Sequence, residues 1–249
     1  MSGHSKWSTI KRKKGKTDAE RAKIFTKISR EIAVSVREGG GDPSLNGRLR
    51  DLIAKAKAAN VPNDNIDRVI KKSLGDGDKN NYEDIIYEGY GPSGIAVIVD
   101  ALTDNRNRTA GEVRHYFDKF GGNLGTTGCV SFMFSQKGII ILECGAVDEE
   151  QLMEDAINAG ASDFMVENGI IEITTEPLDL SAVRETLLEK GYTLLSADVE
   201  QVPSTYTSID PTDEELGHKM IKLLEMLEDN DDVQNVWHNW ENEDAFMQE

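Results

Sequence analysis

The chain has 249 residues, 38% of them hydrophobic and 29% charged, with a formal net charge of −17. That length suits two or three domains with small cores. Its longest apolar runs, such as Ile95–Val99, are far too short to span a bilayer, and its first residues lack the apolar stretch of a secretory signal, so a soluble cytoplasmic protein with no membrane partner is expected.

The net charge hides a polarity. Residues 1–75 hold 18 Lys and Arg against 8 Asp and Glu, whereas residues 76–249 hold 10 against 37. Such asymmetry points to nucleic acid or a membrane surface at the basic end. Residues 1–16 form a basic arm with Lys6, Lys11, Arg12, Lys13, Lys14 and Lys16 and no acid. Each cation that displaces a counterion from a phosphate backbone adds sequence-independent affinity. Trp7 sits among them. It either stacks on a base or, with Ile10, pins the arm to the next helix.

Residues 17–75 read as a nucleic-acid-binding bundle of three helices. Thr17-Asp18-Ala19-Glu20 is a capping box that opens the first, and Gly39-Gly40-Gly41 stops it after Glu38. Helical spacing puts Phe25, Ile28, Ile32 and Val36 on one face and Lys23, Lys27, Arg30 and Arg37 on the other, flanked by Glu20, Glu31 and Glu38. Asp42-Pro43 suits the start of a second helix, with Pro at its first position. Leu45, Leu49, Leu52, Ile53 and Ala56 form its apolar face, and Arg48, Arg50, Lys55 and Lys57 lie outside it. Asn60-Val61-Pro62-Asn63 breaks that helix, and a third carries Ile66, Val69 and Ile70. Residues 75–78 read as a linker.

Residues 80–134 and 204–249 read as an α/β domain interrupted by an insertion. Two strands, Ile85–Gly89 and Ile95–Ala101, flank the turn Gly91-Pro92-Ser93-Gly94. A helix from about Arg108 to Phe120 and a strand Val130–Phe134 follow. After the insertion come a helix, Asp213–Glu228, and a strand, Val233–Trp237. The insertion, 135–203, reads strand Gly138–Glu143, helix Glu149–Ala159, a hairpin of Asp163–Glu167 and Ile170–Thr174 across Asn168-Gly169, helix Leu180–Lys190 and strand Leu195–Val202. That βαββαβ order is ferredoxin-like. The expected class is α+β in three domains.

Candidate chemistry is sparse. Gly89-Tyr90-Gly91-Pro92-Ser93-Gly94 matches G-x-G-x-x-G, but a β-run follows it where a dinucleotide site needs a helix. Gly122, Gly125 and Gly128 are not followed by the Lys of a P-loop. The four histidines lack metal-binding spacing, and Glu228–Asp232 lacks the Ca²⁺-loop glycine, so it reads as a solvated helix end. Cys129 and Cys144 are spaced like neither a zinc site nor a redox pair, and buried free thiols are expected. No catalytic constellation assembles, so no enzyme, metal or cofactor is expected. Arg106 and Arg108, in Thr103–Thr109, stand at a helix start where free amides favour an anion. Either they bind phosphate, or they pair with Asp104 and Glu112 while Asn107 caps the helix. Glu149, Glu150, Glu154 and Asp155 face either a basic protein partner or water. No helix-turn-helix with a recognition helix is legible.

Gly3-His4-Ser5-Lys6-Trp7, Gly40-Gly41-Asp42-Pro43, Asn60-Val61-Pro62, Tyr87–Pro92, Leu102–Thr109 and Asp231–Val236 resemble the YebC family of PmpR-like regulators, which has mitochondrial translational-activator relatives. The likeness runs to about Asn239. Trp237 stands where the family usually has Tyr, and Cys129 where it often has Ser. The resemblance implies a helical bundle and two α/β domains, one inserted in the other, and a non-enzymatic regulator of gene expression. It implies either a DNA-binding transcriptional regulator or a ribosome-associated factor, bound to rRNA, that assists translation of difficult stretches such as proline runs.

Overall fold

The structure, a computed structural model, describes residues 18–75, 81–145, 147–167 and 169–247. Apolar spacing along α1 (Asp18–Gly39) buries Ile28, Ile32 and Val36 against Leu49, Leu52 and Ala56 of α2 (Gly47–Ala58) and Ile66 of α3 (Asn63–Leu74). α2 starts later than Asp42-Pro43 predicts. The Asp42 carboxylate takes the Ser44 amide at 2.9 Å and its hydroxyl at 2.7 Å, closing a turn in place of a helix. Buried Asn46 is the cap: its Oδ1 accepts from the Leu49 amide at 3.0 Å, and its Nδ2 donates to the Ser35 and Gly40 carbonyls at 2.9 Å each. Leu45, expected on the apolar face, therefore lies in the turn and is 84% exposed.

The same compact unit holds an antiparallel sheet of β1 (Glu83–Tyr90), β2 (Ala96–Thr103), β3 (Asn123–Leu124) and β8 (Val233–His238), in the order β3-β1-β2-β8. α4 (Arg106–Lys119) and α7 (Glu214–Asp229) supply its core through Val113, Phe117, Met220, Leu223, Leu224 and Leu227, packed on Val97, Val99 and Val233. Gly89 is required here, because a Cβ would strike the Asn123 carbonyl and the Phe117 ring. The expected strand Val130–Phe134 does not form as such. Residues Ser131–Met133 make a 3₁₀ turn, and the amides of Val130 and Ser131 donate to the Glu88 carboxylate at 2.9 and 2.8 Å, not to a strand.

Residues 133–204 form the second unit. It contains β4 (Phe134–Glu143), α5 (Glu149–Ala159), β5 (Asp163–Glu167), β6 (Ile170–Thr175), α6 (Leu180–Glu189) and β7 (Ser196–Pro203). Its sheet is antiparallel throughout, ordered β5-β6-β4-β7. Alternation along the strands sends Ile140, Leu142, Ile171 and Ile173 to the helices, where Leu152, Ala156, Val183 and Leu187 cover them. Gly169 takes a positive φ of 79° in the hairpin turn, whose Asn168 lies outside the described residues. The class is α+β.

Candidate nucleic-acid interface

The arm residues Lys6, Trp7, Lys11, Arg12, Lys13, Lys14 and Lys16 lie outside the described residues, as do Thr17 of the capping box and residues 76–78 of the linker. The described candidates come from two distant segments: Lys23, Lys27 and Arg30 on α1, and Arg106 and Arg108 at the start of α4. The fold brings four of them to one corner, the end of α7 and the loop into β8.

That corner is built by strand pairing. β8 runs against β2 with Val233 opposite Ala101, which sets Asp232 beside the end of β2, where the Leu102 amide donates to the Asp232 carbonyl at 2.7 Å. α4 starts two residues after β2. Its cap is Asn105, not Asn107: Asn105 Oδ1 accepts from the Arg108 amide at 3.1 Å.

Asp232 is 3% exposed and organises the corner. Its Oδ1 accepts from Arg30 at 2.8 Å. Its Oδ2 accepts from Arg108 at 2.7 Å, Thr109 Oγ1 at 2.7 Å and Thr103 Oγ1 at 3.1 Å. Burial opposes its ionisation, but the bonds from Arg108, Thr109, Arg30 and Thr103 outweigh that and hold the carboxyl below its ordinary range. Arg108 also reaches Asp104 at 2.9 Å. Glu112, the other partner read from sequence, instead accepts from Asn230 Nδ2 at 2.7 Å.

The α1 cations cap the end of α7. Lys27 Nζ donates to the Glu228 carbonyl at 2.7 Å, Arg30 to the Asp231 carbonyl at 2.8 Å, and Lys23 pairs with Asp229. Cations suit the negative end of a helix dipole. The Arg30 guanidinium also lies 5.7 Å from the Tyr82 ring centroid. Residues 228–232, read from sequence as a solvated helix end, are thus an internal docking point for the basic stripe of α1. Their acidity, in a chain whose basic end lies elsewhere, was the available signal. Arg106 is exposed, and its side chain makes no ion pair or hydrogen bond with another described residue.

Other features are structural. Glu88 is buried and accepts from the amides of Gly128 at 2.7 Å, Val130 at 2.9 Å and Ser131 at 2.8 Å, so its whole charge is spent on holding the glycine loop. Both cysteines are free and half-buried, not fully buried as expected, and burial, then nearby carboxylates, push both thiols up. Asp155, read with the acidic face of α5, is buried and bonded to Lys190 and the Tyr192 hydroxyl at 2.8 Å each. Among the described residues no group of His, Cys, Asp or Glu could hold a metal, and no helix is long and apolar enough to cross a membrane. The exposed cations Lys57, Arg68, Lys71 and Lys72 of the bundle lie away from the corner's bonds and have no ion pair among the described residues.

A family model described as "TACO1/YebC protein N-terminal domain" matches residues 5–76, and one described as "TACO1/YebC second and third domain" matches residues 82–240. A protein of Finegoldia magna is 59% identical over 243 residues, covering 98% of this chain and 100% of its own. One of Acetivibrio thermocellus is 60% identical over 245 residues, with the same coverage. Both are named "Probable transcriptional regulatory protein". The crystal structure of a conserved hypothetical protein from Aquifex aeolicus is 48% identical, with a TM-score of 0.82 over 92% of this chain and 93% of its own.

Proposed function

We propose, from the premise that this chain belongs to the TACO1/YebC family, that it is a non-enzymatic regulator of gene expression that binds DNA through its basic arm and helical bundle. The charge polarity carries this reading: 18 basic against 8 acidic residues up to Gly75, and 10 against 37 after it. A polyanion is drawn to the first part and repelled by the second, which orients the protein on it. The names of the relatives support a regulatory role. In this reading Lys6, Lys11, Arg12, Lys13, Lys14 and Lys16 contact phosphates and Trp7 stacks on a base. Arg106 is available directly. Lys23, Lys27, Arg30 and Arg108 contribute through the donors left over from their internal bonds.

The test reverses Lys11, Arg12, Lys13 and Lys14 to Glu in the full chain. Binding to a 20-base-pair duplex is measured across salt, beside co-sedimentation with 70S ribosomes. The expected result is loss of duplex binding with an unchanged circular dichroism spectrum. If all four cations contact phosphates, the wild-type slope of log K on log salt contains about 3.6 units from them. A folded variant with undiminished affinity would refute the reading. Retention of the wild type on ribosomes, with no duplex binding at equal salt, would replace DNA by rRNA as its target.

A further inference from the structure

The bundle's α1 stripe is turned onto the protein's own acidic corner, so its outward surface lies elsewhere. α2 and α3 are joined by four residues, Ala59 to Pro62. This turn is rigidly specified. Asn60 adopts the left-handed conformation at φ 58°. Its amide donates to the Lys57 carbonyl at 2.9 Å, and the Val61 amide reaches back to Ala56 at 3.0 Å. These two bonds are the Schellman pattern that ends a helix and redirects the chain. Val61 then packs on the bundle core, and the Pro62 carbonyl accepts from the amides of Asn65 and Ile66 at 3.0 and 3.3 Å. Two helices of 12 residues each, joined by a fixed four-residue turn within a three-helix bundle, share their lengths and connection with a helix-turn-helix.

α3 has the second requirement, an unoccupied polar face. Ile66, Val69 and Ile70 turn to the core. Asp64, Asp67, Arg68 and Lys71 fall at i, i+3, i+4 and i+7 on the opposite side, and all four are exposed. No ion pair ties Arg68 or Lys71 to another described residue. At about 1.5 Å per residue the helix is about 18 Å long, and it is narrow enough for a major groove about 12 Å wide. Arg fits guanine O6 and N7, and Asp accepts from the cytosine amino group. Lys57 and Lys72, exposed at the end of α2 and beside the stripe, are placed for phosphates.

We propose that α2, the turn 59–62 and α3 form a helix-turn-helix whose α3 enters the major groove of duplex DNA, with Asp64, Asp67, Arg68 and Lys71 facing base edges. This rests on the nucleic-acid reading above and adds sequence-selective readout to it. The lone arm would give charge-driven binding only.

The test is selection by the full-length protein from a mixed pool of randomised 20-base-pair duplexes and structured RNAs, followed by salt titration on the enriched probe. The wild type should enrich a duplex consensus. Arg68→Lys keeps the charge but loses the two-pronged guanine contact, so the salt slope should stay and one G·C position of the consensus should relax. Arg68→Ala with Lys71→Ala should weaken binding at least tenfold, whereas Lys57→Ala with Lys72→Ala should lower the slope by about 2. Enrichment of RNA, absence of a consensus, or an unchanged consensus with Arg68→Lys overturns the proposal. If the arm reversal abolishes binding while the α3 variants behave as wild type, the helix-turn-helix fails and the function stands. If all variants bind as wild type, both fail.

Discussion

Two buried carboxylates carry opposite kinds of work. Glu88 neutralises three backbone amides and no cation, whereas Asp232 joins two guanidiniums from distant helices. Glu88→Gln leaves one accepting oxygen for three amides at two sites, so at least one donor loses its partner. The expected cost is about 1–3 kcal/mol, read as a lower melting temperature and faster hydrogen exchange at Val130 and Ser131. Asp232→Asn strips the charge from a buried pair and should cost about 2–3 kcal/mol, below the usual range for a broken buried pair because the Arg108 side chain is 43% exposed and keeps water. For Glu88, burial is outweighed by the bonds from Gly128, Val130 and Ser131, so its carboxyl, like that of Asp232, ionises below its ordinary range in the folded state. A depressed folded pKa gives stability that is present above the unfolded pKa, about 4, and lost as pH falls through the folded value. Melting temperature should therefore fall on acidification below about pH 4, and Glu88→Gln with Asp232→Asn should flatten that limb.

At the level of elements, the bundle depends on one side chain at the α1–α2 junction. Asn46 caps α2 and ties back to two carbonyls at the end of α1, all from a buried position. Asn46→Ala removes these bonds together and should cost about 2 kcal/mol. Loss of helical circular dichroism at lower temperature would show it. Asn46→Asp can still accept from Leu49 but cannot donate to Ser35 or Gly40, so it should recover only part of the loss. The apolar pattern of α1 and α3 was legible because it is periodic. The start of α2 was not, because Pro43 favours a first helical turn and Asp42 captures the Ser44 amide first. Likewise Val130–Phe134 has strand-like composition, and Glu88, more than 40 residues away, takes its amides.

In the molecule as a whole, α1 is held to the α/β core by cations set on the end of α7. Replacing Lys27 and Arg30 by Ala should speed hydrogen exchange throughout α1, α2 and α3 while β1 and β2 keep their protection. Unchanged protection of the bundle would show that these bonds do not hold it to the sheet. A double-mutant cycle between Arg30→Ala and Asp232→Ala should give a coupling of about 0.5–3 kcal/mol.

The amino-acid order alone determined the α+β class, most helices and strands and the charge polarity, because periodicity, capping and turn chemistry are local, and charge is additive. The residues themselves also carried the family likeness. Only the tertiary structure decided which cations face outward. A helix stripe of Lys23, Lys27 and Arg30 looks the same in sequence whether water, phosphate or the protein's own carboxylates lie opposite. The register of β8 on β2, set by long-range pairing, placed Asp232 there. It thereby engaged that stripe internally, while the polar face of α3 stays exposed.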